Sequence, residues 1–275
     1  MNIKGIGICE WSLPTPMRGP TVCDVVKDFG MQAVELDLGV TDENFPLANP
    51  YVIEKYKEAR ERTGVVFTGI AVNLTDFYPM IAPVGDPGRD LVEYAVRKAI
   101  DTASEMNIPL IHVPSFFKSH IATYEDLKNT ADCMQRSCDY AADKNVLVCT
   151  ENYVDTETQL KMIELVDRKN FGVYFDTQNY QVNGYYTPDL VEPIFEYIPE
   201  FHVKDGYKEL STHYIGTGGS DVFKTLEVFD RLGYTGYVML ENYYARDPLC
   251  KLGDDPYAIL KKDLEILKKW LEEHK

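Results

Sequence analysis

Basic residues are scarce in this chain. Its 275 residues include 28 Lys and Arg against 44 Asp and Glu, which gives a formal net charge of −16. A nucleic-acid groove needs a basic surface to displace counterions from phosphate, and an anionic membrane attracts basic segments. The charge balance therefore argues against nucleic-acid and membrane partners, although a local pocket for one phosphate remains compatible with it.

A C-x-x-C pair is absent from the sequence, although it contains six cysteines. Scattered cysteines in a chain of this length indicate reduced, mostly buried thiols of a cytosolic protein, with a zinc–thiolate site as the less favoured alternative. The N-terminal MNIKGIGICEW lacks the apolar core of a secretory signal, and no apolar run reaches the roughly 18 residues of a membrane span. These absences predict a cytoplasmic location.

A glycine-rich phosphate loop is also missing after the first predicted strand, Ile3–Cys9, which runs into CEWSLPTP. This absence argues against a dinucleotide-binding fold. The chain likewise contains no low-complexity segment and no interdomain linker. We therefore expect one domain over residues 1–275.

The sequence alternates between strand-like and helix-like segments from end to end. Eight short apolar runs are predicted strands, and most read as apolar throughout, which indicates burial on both faces of a parallel sheet. The predicted helices between them cover about Pro20–Gly30, Pro50–Thr63, Arg89–Met106, Tyr124–Lys144, Thr156–Lys169, Thr187–Tyr197, Ser220–Leu232 and Tyr257–Glu273. This order predicts an α/β protein, a single closed (β/α)8 TIM barrel, with an open doubly wound sheet as the alternative.

The last four apolar runs each end on a residue able to bind a divalent metal. VLVCTEN contains Glu151, FGVYFDTQN contains Asp176, EFHVKDG contains His202 and GYVMLEN contains Glu241. Active sites of such barrels lie at the carboxyl ends of the strands, so these four side chains are expected to meet. Three carboxylates and one imidazole suit Mn²⁺, Mg²⁺ or Co²⁺, with Zn²⁺ as a further alternative.

Each of these residues also has a purely structural interpretation. An Asp at a strand end is commonly a turn former or a helix cap. A single histidine in a barrel is more often a buried structural residue than a metal ligand. A glutamate ending an apolar strand is harder to explain in this way, because burial of an unpaired carboxylate is costly. The combination of all four favours a metal site.

Four segments resemble one known family. TEN at Thr150–Asn152, FDTQN at Phe175–Asn179, FHVKD at Phe201–Asp205 and GYTGYVMLE at Gly233–Glu241 are similar to motifs of the sugar phosphate isomerase/epimerase superfamily. These are the xylose-isomerase-like TIM barrels, which include ketose 3-epimerases, inosose dehydratases and hydroxypyruvate isomerases. The resemblance implies one divalent metal ion, with Mn²⁺ preferred, bound by Glu151, Asp176, His202 and Glu241.

The resemblance also implies a reaction. The metal would stabilise a cis-enediolate formed from a sugar, a sugar phosphate or a related polyol or keto acid, and Glu151 and Glu241 would transfer the protons as acid and base. We expect His112, Asn179, Lys204 and Lys208 to bind the substrate. Asn179 stands where many members have a histidine, and Lys208 where ketose 3-epimerases have an arginine, so the substrate itself stays open.

Several alternatives remain at this stage. A dehydratase of a keto-inositol would share the first chemical step, and a sugar-binding barrel without catalysis could retain the metal ligands. An abasic-site nuclease is disfavoured by the charge and by the total of five histidines. The segment GTGGS at Gly216–Ser220 could bind a phosphate at a helix N-terminus, but a simple turn is the preferred interpretation. The expected partners are a carbohydrate and further copies of the chain in a homodimer or homotetramer.

Overall fold

The computed structural model describes residues 1–13, 19–41 and 44–274. Residues 14–16, the end of the CEWSLPTP segment, therefore lie outside the described residues. The strands are β1 (Gly5–Cys9), β2 (Ala33–Asp37), β3 (Val66–Ala71), β4 (Leu110–Pro114), β5 (Leu147–Glu151), β6 (Phe171–Val173), β7 (Phe175–Asp176), β8 (Phe201–Val203) and β9 (Tyr237–Leu240).

Helices follow the strands along the chain, close to the predicted positions. They are α1 (Val22–Asp28), α2 (Pro50–Thr63), α3 (Pro87–Met106), α4 (Tyr124–Ala141), α5 (Thr156–Val166), α6 (Asn179–Val182), α7 (Thr187–Ile194), α8 (Val222–Arg231) and α9 (Pro256–Glu273). Within the described part of the chain, no helix combines the length and apolar character needed to cross a bilayer.

The strands join one hydrogen-bonded sheet in the order β6-β5-β4-β3-β2-β1-β9-β8-β7. The first and last strands of this order, β6 and β7, are separated in the chain by Tyr174 alone. They correspond to the single sixth strand that the sequence predicts: β6 pairs in parallel with β5, and β7 pairs in parallel with β8. Eight strand-and-helix units in a nearly closed parallel sheet confirm the predicted (β/α)8 TIM barrel.

Two compact units make up the chain. The terminal unit comprises residues 1–34, 63–66 and 175–275, and the central unit comprises residues 35–62 and 67–174. In the terminal unit, β1 pairs with β9 and β9 with β8. Its core includes the ring of Phe229 from α8, which stacks on Phe201 of β8 with 4.0 Å between the ring centroids.

The central unit contains α3, α4 and α5 together with the parallel pairs β3–β4 and β4–β5. Small residues on α3, the alanines 95, 99 and 103, are fully buried, as their spacing of four predicts. Thr123 caps α4: its hydroxyl accepts from the Asp126 amide, and the Asp126 carboxylate accepts from the Thr123 amide. This reciprocal pair is a capping box.

Candidate metal centre

Three of the predicted ligands lie at one end of neighbouring strands in the terminal unit. Asp176 is the last residue of β7, His202 lies in β8, and Glu241 directly follows β9. The register places Asp176 beside His202, and His202 beside Met239. All three ligand side chains are buried, so the strand pairing itself brings two carboxylates and an imidazole together.

The two ring nitrogens of His202 have different surroundings. Its Nδ1 lies 3.4 Å from Glu241 Oε2 and 3.9 Å from Asp176 Oδ2. Its Nε2 lies 3.2 Å from the Cys9 sulfur. The Trp11 ring meets the imidazole edge-on at 5.9 Å, and its indole N–H donates to Glu241 Oε1 at 2.9 Å. Nδ1 is therefore the nitrogen that faces the carboxylates and could ligate a metal, with the proton of the neutral ring on Nε2.

The two carboxylate oxygens of Asp176 serve different purposes. Oδ1 accepts hydrogen bonds from the backbone amides of Gln178 at 2.7 Å and Asn179 at 2.5 Å. Oδ2 faces His202 and Lys204. The structural and the functional interpretations of Asp176 are thus compatible with each other. One carboxylate oxygen stabilises the turn into α6, and the other is directed at the site.

Lys204 places a cation among these acids. Its Nζ lies 2.5 Å from Glu241 Oε2 and 3.4 Å from Asp176 Oδ2, and it sits over the Tyr243 ring at 5.3 Å. The side chain is 1% exposed. A buried ammonium needs such partners, since its transfer from water is costly when uncompensated.

The fourth predicted ligand, Glu151, ends β5 in the central unit and is 3% exposed. His112 of β4 lies beside it, with Nε2 3.3 Å from Glu151 Oε2. The other nitrogen of His112, Nδ1, lies 2.6 Å from Glu35 Oε1. Burial lowers the pKa of His112, but the charges of Glu35 and Glu151 and their hydrogen bonds outweigh burial and raise the pKa to about 9.

Glu35 was not among the predicted site residues. It is fully buried in β2, and Tyr174 donates its hydroxyl to Glu35 Oε2 at 3.1 Å. The available signal was an acid inside the apolar run VELDL, because a buried carboxylate requires partners. Those partners lie 77 and 139 residues away along the chain, so local patterns could not identify them.

The predicted ligands of the terminal unit, Asp176, His202 and Glu241, are suited to a metal ion, and all three are buried. Glu151, the fourth predicted ligand, is buried in the central unit. Three carboxylates and one imidazole are a hard donor set that fits a divalent cation of the Mn²⁺ or Mg²⁺ type.

The other predicted substrate-binding residues lie in different environments. Asn179 is 6% exposed at the start of α6, and its carbonyl oxygen accepts from the Asn183 side chain at 2.8 Å. Lys208 is exposed and has a positive φ of 59°. The side chains of His112 and Lys204 contact the proposed ligands Glu151 and Glu241, whereas Asn179 contacts Asp176 through its backbone amide.

The comparison with protein families agrees with this geometry. The model of the xylose isomerase-like TIM barrel family matches residues 23–270. The chain belongs to this family. Two relatives of this barrel are epimerases.

One relative is the 2-epi-5-epi-valiolone 7-phosphate 2-epimerase of Actinoplanes sp., which is 23% identical over 225 residues, covering 80% of each chain. Another is the ketose 3-epimerase of Arthrobacter globiformis, which is 24% identical and aligned over 72% of each chain. Among solved structures, a xylose isomerase domain protein from Planctomyces limnophilus superposes with a TM-score of 0.78 at 16% identity, covering 99% of this barrel and 98% of that chain. The relatives support an enzyme of the isomerase or epimerase kind.

Proposed function

We propose that this barrel is a divalent-metal-dependent isomerase or epimerase of a sugar or a related polyol. The observation that carries the proposal is the buried pair of carboxylates, Asp176 and Glu241, that lie 3.9 Å and 3.4 Å from Nδ1 of His202. The epimerase relatives agree with this assignment. A dehydratase that shares the same first step is the alternative.

Glu151, Asp176, His202 and Glu241 would hold the ion, with His202 binding through Nδ1. A bound divalent cation would polarise the substrate carbonyl and make the neighbouring C–H more acidic. Mn²⁺ is the preferred ion because the donors are mostly oxygen with one nitrogen, and Mg²⁺, Co²⁺ and Zn²⁺ are the alternatives.

Glu151 and Glu241 would carry the protons. Glu241 is held by the indole N–H of Trp11 and by the ammonium of Lys204, whereas Glu151 lies against His112. Two carboxylates in different surroundings can have different proton affinities, as an acid and a base acting on the two sides of one carbon require. One glutamate would take the proton from the substrate, giving an enediolate, and the other would return a proton to the opposite face.

Lys204 is the residue best placed to support the developing negative charge. Its ammonium is buried beside Glu241 and Asp176, so water does not screen it. Asn179 and His112 would hydrogen-bond substrate hydroxyls. Lys208, which stands where ketose 3-epimerases have an arginine, lies exposed on the loop after β8 and would act at the periphery of the site.

A panel of ketoses in D₂O with Mn²⁺, followed by NMR, tests the proposal. The expected result is exchange of one carbon-bound proton for deuterium together with formation of an epimer or an isomer. A dione product without any epimer would move the assignment to the dehydratase. Absence of exchange from every bound ketose would reject the enzyme and leave a sugar-binding barrel.

A further inference from the structure

The loop between β8 and α8 has the features of an anion-binding loop. It contains GTGGS at Gly216–Ser220, just before α8. Backbone amides ahead of a helix attract anions, and phosphate sites of TIM barrels often use the loops after the last two strands. A phosphorylated substrate would have its natural phosphate site here.

An internal carboxylate already occupies these amides. Asp205 Oδ1 accepts from the Ser220 amide at 3.0 Å and from the Gly206 amide at 2.8 Å, and Asp205 Oδ2 accepts from the Gly218 amide at 3.0 Å. Asp205 is 1% exposed. Three backbone donors thus converge on one buried carboxylate, the number a bound oxyanion would use.

Gly218 of the loop is explained by this carboxylate. A Cβ at Gly218 would collide with the Asp205 carboxylate and the Gly206 amide, and a Cβ at Gly206 would collide with the Gln178 side chain. Glycine therefore lets the backbone approach an anion closely, as in phosphate loops. The anion in this case belongs to the protein.

The occupied loop adjoins the proposed active site. Asp205 directly follows Lys204, whose ammonium contacts Glu241 and Asp176. The Asp205 amide also donates to Asn242 Oδ1 at 3.1 Å, and Asn242 directly follows Glu241. The carboxylate is thereby held at the ends of two strands that carry proposed metal ligands.

We propose that Asp205 is a specificity residue that excludes phosphate, so that the substrate is an unphosphorylated ketose or polyol. The part of this inference that concerns the substrate rests on the proposed function. The binding of the loop amides by Asp205 does not depend on catalysis. A phosphate group would have to displace a buried carboxylate that already satisfies three amides, and at close range the two anions would repel each other.

Binding measurements on the whole protein test the inference without turnover. The midpoint of thermal unfolding is recorded as inorganic phosphate or fructose 6-phosphate is titrated into the wild type. Fructose is the uncharged control. Asp205→Ala is then titrated with formate, which resembles the removed carboxylate. Asp221→Ala is the matched control, because it removes a nearby carboxylate that pairs with Lys224 on the surface.

We expect phosphate to leave the wild-type midpoint unchanged, and fructose 6-phosphate to shift it no more than fructose does. Formate should raise the midpoint of Asp205→Ala by at least about 2 °C and leave the wild type and Asp221→Ala unchanged. Should Asp205→Ala fail to fold, Asp205→Ser takes its place, since the shorter hydroxyl side chain retains one acceptor oxygen and leaves room for formate.

Saturable stabilisation of the wild type by phosphate, or a clear preference for fructose 6-phosphate over fructose, would overturn the inference. So would an Asp205 variant that folds but does not respond to formate. Failure of the proposed isomerase would show separately, as absence of deuterium exchange from any ketose while the formate response of the variant persists.

Discussion

Glu35 is a buried carboxylate between two hydrogen-bond donors. His112 Nδ1 lies 2.6 Å from one oxygen, and the Tyr174 hydroxyl donates to the other at 3.1 Å. The other nitrogen of His112 faces the proposed ligand Glu151. The orientation of Glu151 therefore depends on Glu35, which contacts it through His112. Outer partners of this kind typically fix the ring orientation and the charge of the group they touch.

Glu35→Gln should weaken Mn²⁺ binding by roughly 10-fold, within the range of about 10- to 100-fold usual for such partners. Loss of the Glu35 charge removes the strongest interaction that raises the pKa of His112, so the imidazole would hold Glu151 less firmly. Calorimetric titration with Mn²⁺ measures the change. Tyr174→Phe retains the ring beside His112 and removes only the hydroxyl, so its loss of Mn²⁺ affinity should be smaller. Equal Mn²⁺ affinity in the wild type, Glu35→Gln and Tyr174→Phe would contradict this role of Glu35.

Asp263 on α9 is a second buried acid. Its Oδ1 accepts from the Ile215 amide at 2.7 Å, and its Oδ2 accepts from the Asn242 side chain at 2.7 Å. Burial raises the pKa of Asp263 to about 7, although these hydrogen bonds and that of Tyr244 lower it. Helix α9 is thereby linked to the residue that follows Glu241.

The raised pKa of Asp263 predicts a pH-dependent stability. Because the folded protein binds this proton more tightly than the unfolded chain does, the contribution of Asp263 to the free energy of unfolding falls as the pH rises from about 4 to about 7. The slope of this contribution approaches about 1.4 kcal/mol per pH unit within that window.

Urea unfolding of the wild type and of Asp263→Asn from pH 5 to pH 8 isolates this group. The advantage of the wild type over the variant should be largest at pH 5 and should shrink toward pH 7. Other titrating groups cancel in the difference. A difference that does not vary with pH would show that Asp263 ionises with an ordinary pKa.

At the scale of elements, the loop ahead of α3 is fixed by one side chain. Arg89 is fully buried, and its guanidinium donates to the carbonyls of Met80, Ala82 and Asn129. It also pairs with Glu93 and Asp132. Arg can satisfy this many acceptors because its donors form a rigid planar fork, which Lys lacks.

Arg89→Met should lower the free energy of unfolding by about 3 kcal/mol or more, since it leaves Glu93 and several buried carbonyls short of a donor. Arg97→Met on the same helix is the control. Arg97 is half exposed and pairs with Glu93 at the surface, so its loss should cost under about 1 kcal/mol. Urea unfolding compares the two, and similar losses would contradict the special role of Arg89.

The elements themselves follow closely from local sequence. Helix α2 runs from Pro50 to Thr63 as predicted, because Pro suits the first turn and Gly64, with φ of 77°, ends it. The break of the sixth strand at Tyr174 was not predictable. In the sequence, Tyr174 continues the apolar run of the predicted strand. Its hydroxyl nevertheless donates to Glu35 and its amide donates to Thr150. These partners depend on the tertiary fold.

At the scale of the whole molecule, the sequence predicts four metal ligands because barrel topology brings consecutive strand ends together. Contacts between residues far apart in the chain were not predicted from the sequence. Cys9 and Trp11, for example, contact His202 across about 190 residues of chain. Asp205 was also missed as a partner of the GTGGS loop. An acid three positions after an expected ligand is interpreted as an ordinary turn residue until the loop geometry is known.

Metal removal should destabilise the protein. The overall charge is −16, and the carboxylates of Asp176 and Glu241 lie 3.9 Å and 3.4 Å from Nδ1 of His202, so a bound cation would relieve their mutual repulsion. Mn²⁺ at about 100 times its dissociation constant should stabilise the fold by about 2.7 kcal/mol. Thermal unfolding with EDTA and with Mn²⁺ measures this, with His202→Ala expected to lose most of the response.

Deuterium exchange into a bound ketose, measured by NMR for the Mn²⁺-loaded wild type, Glu151→Gln and Glu241→Gln, tests the central claim most directly. The claim is that both glutamates move protons while they hold one ion. We expect exchange and epimer formation in the wild type and loss of epimer formation in either variant, by at least about 100-fold, with Mn²⁺ binding partly retained. Epimer formation at wild-type rates in either variant would contradict the two-glutamate mechanism.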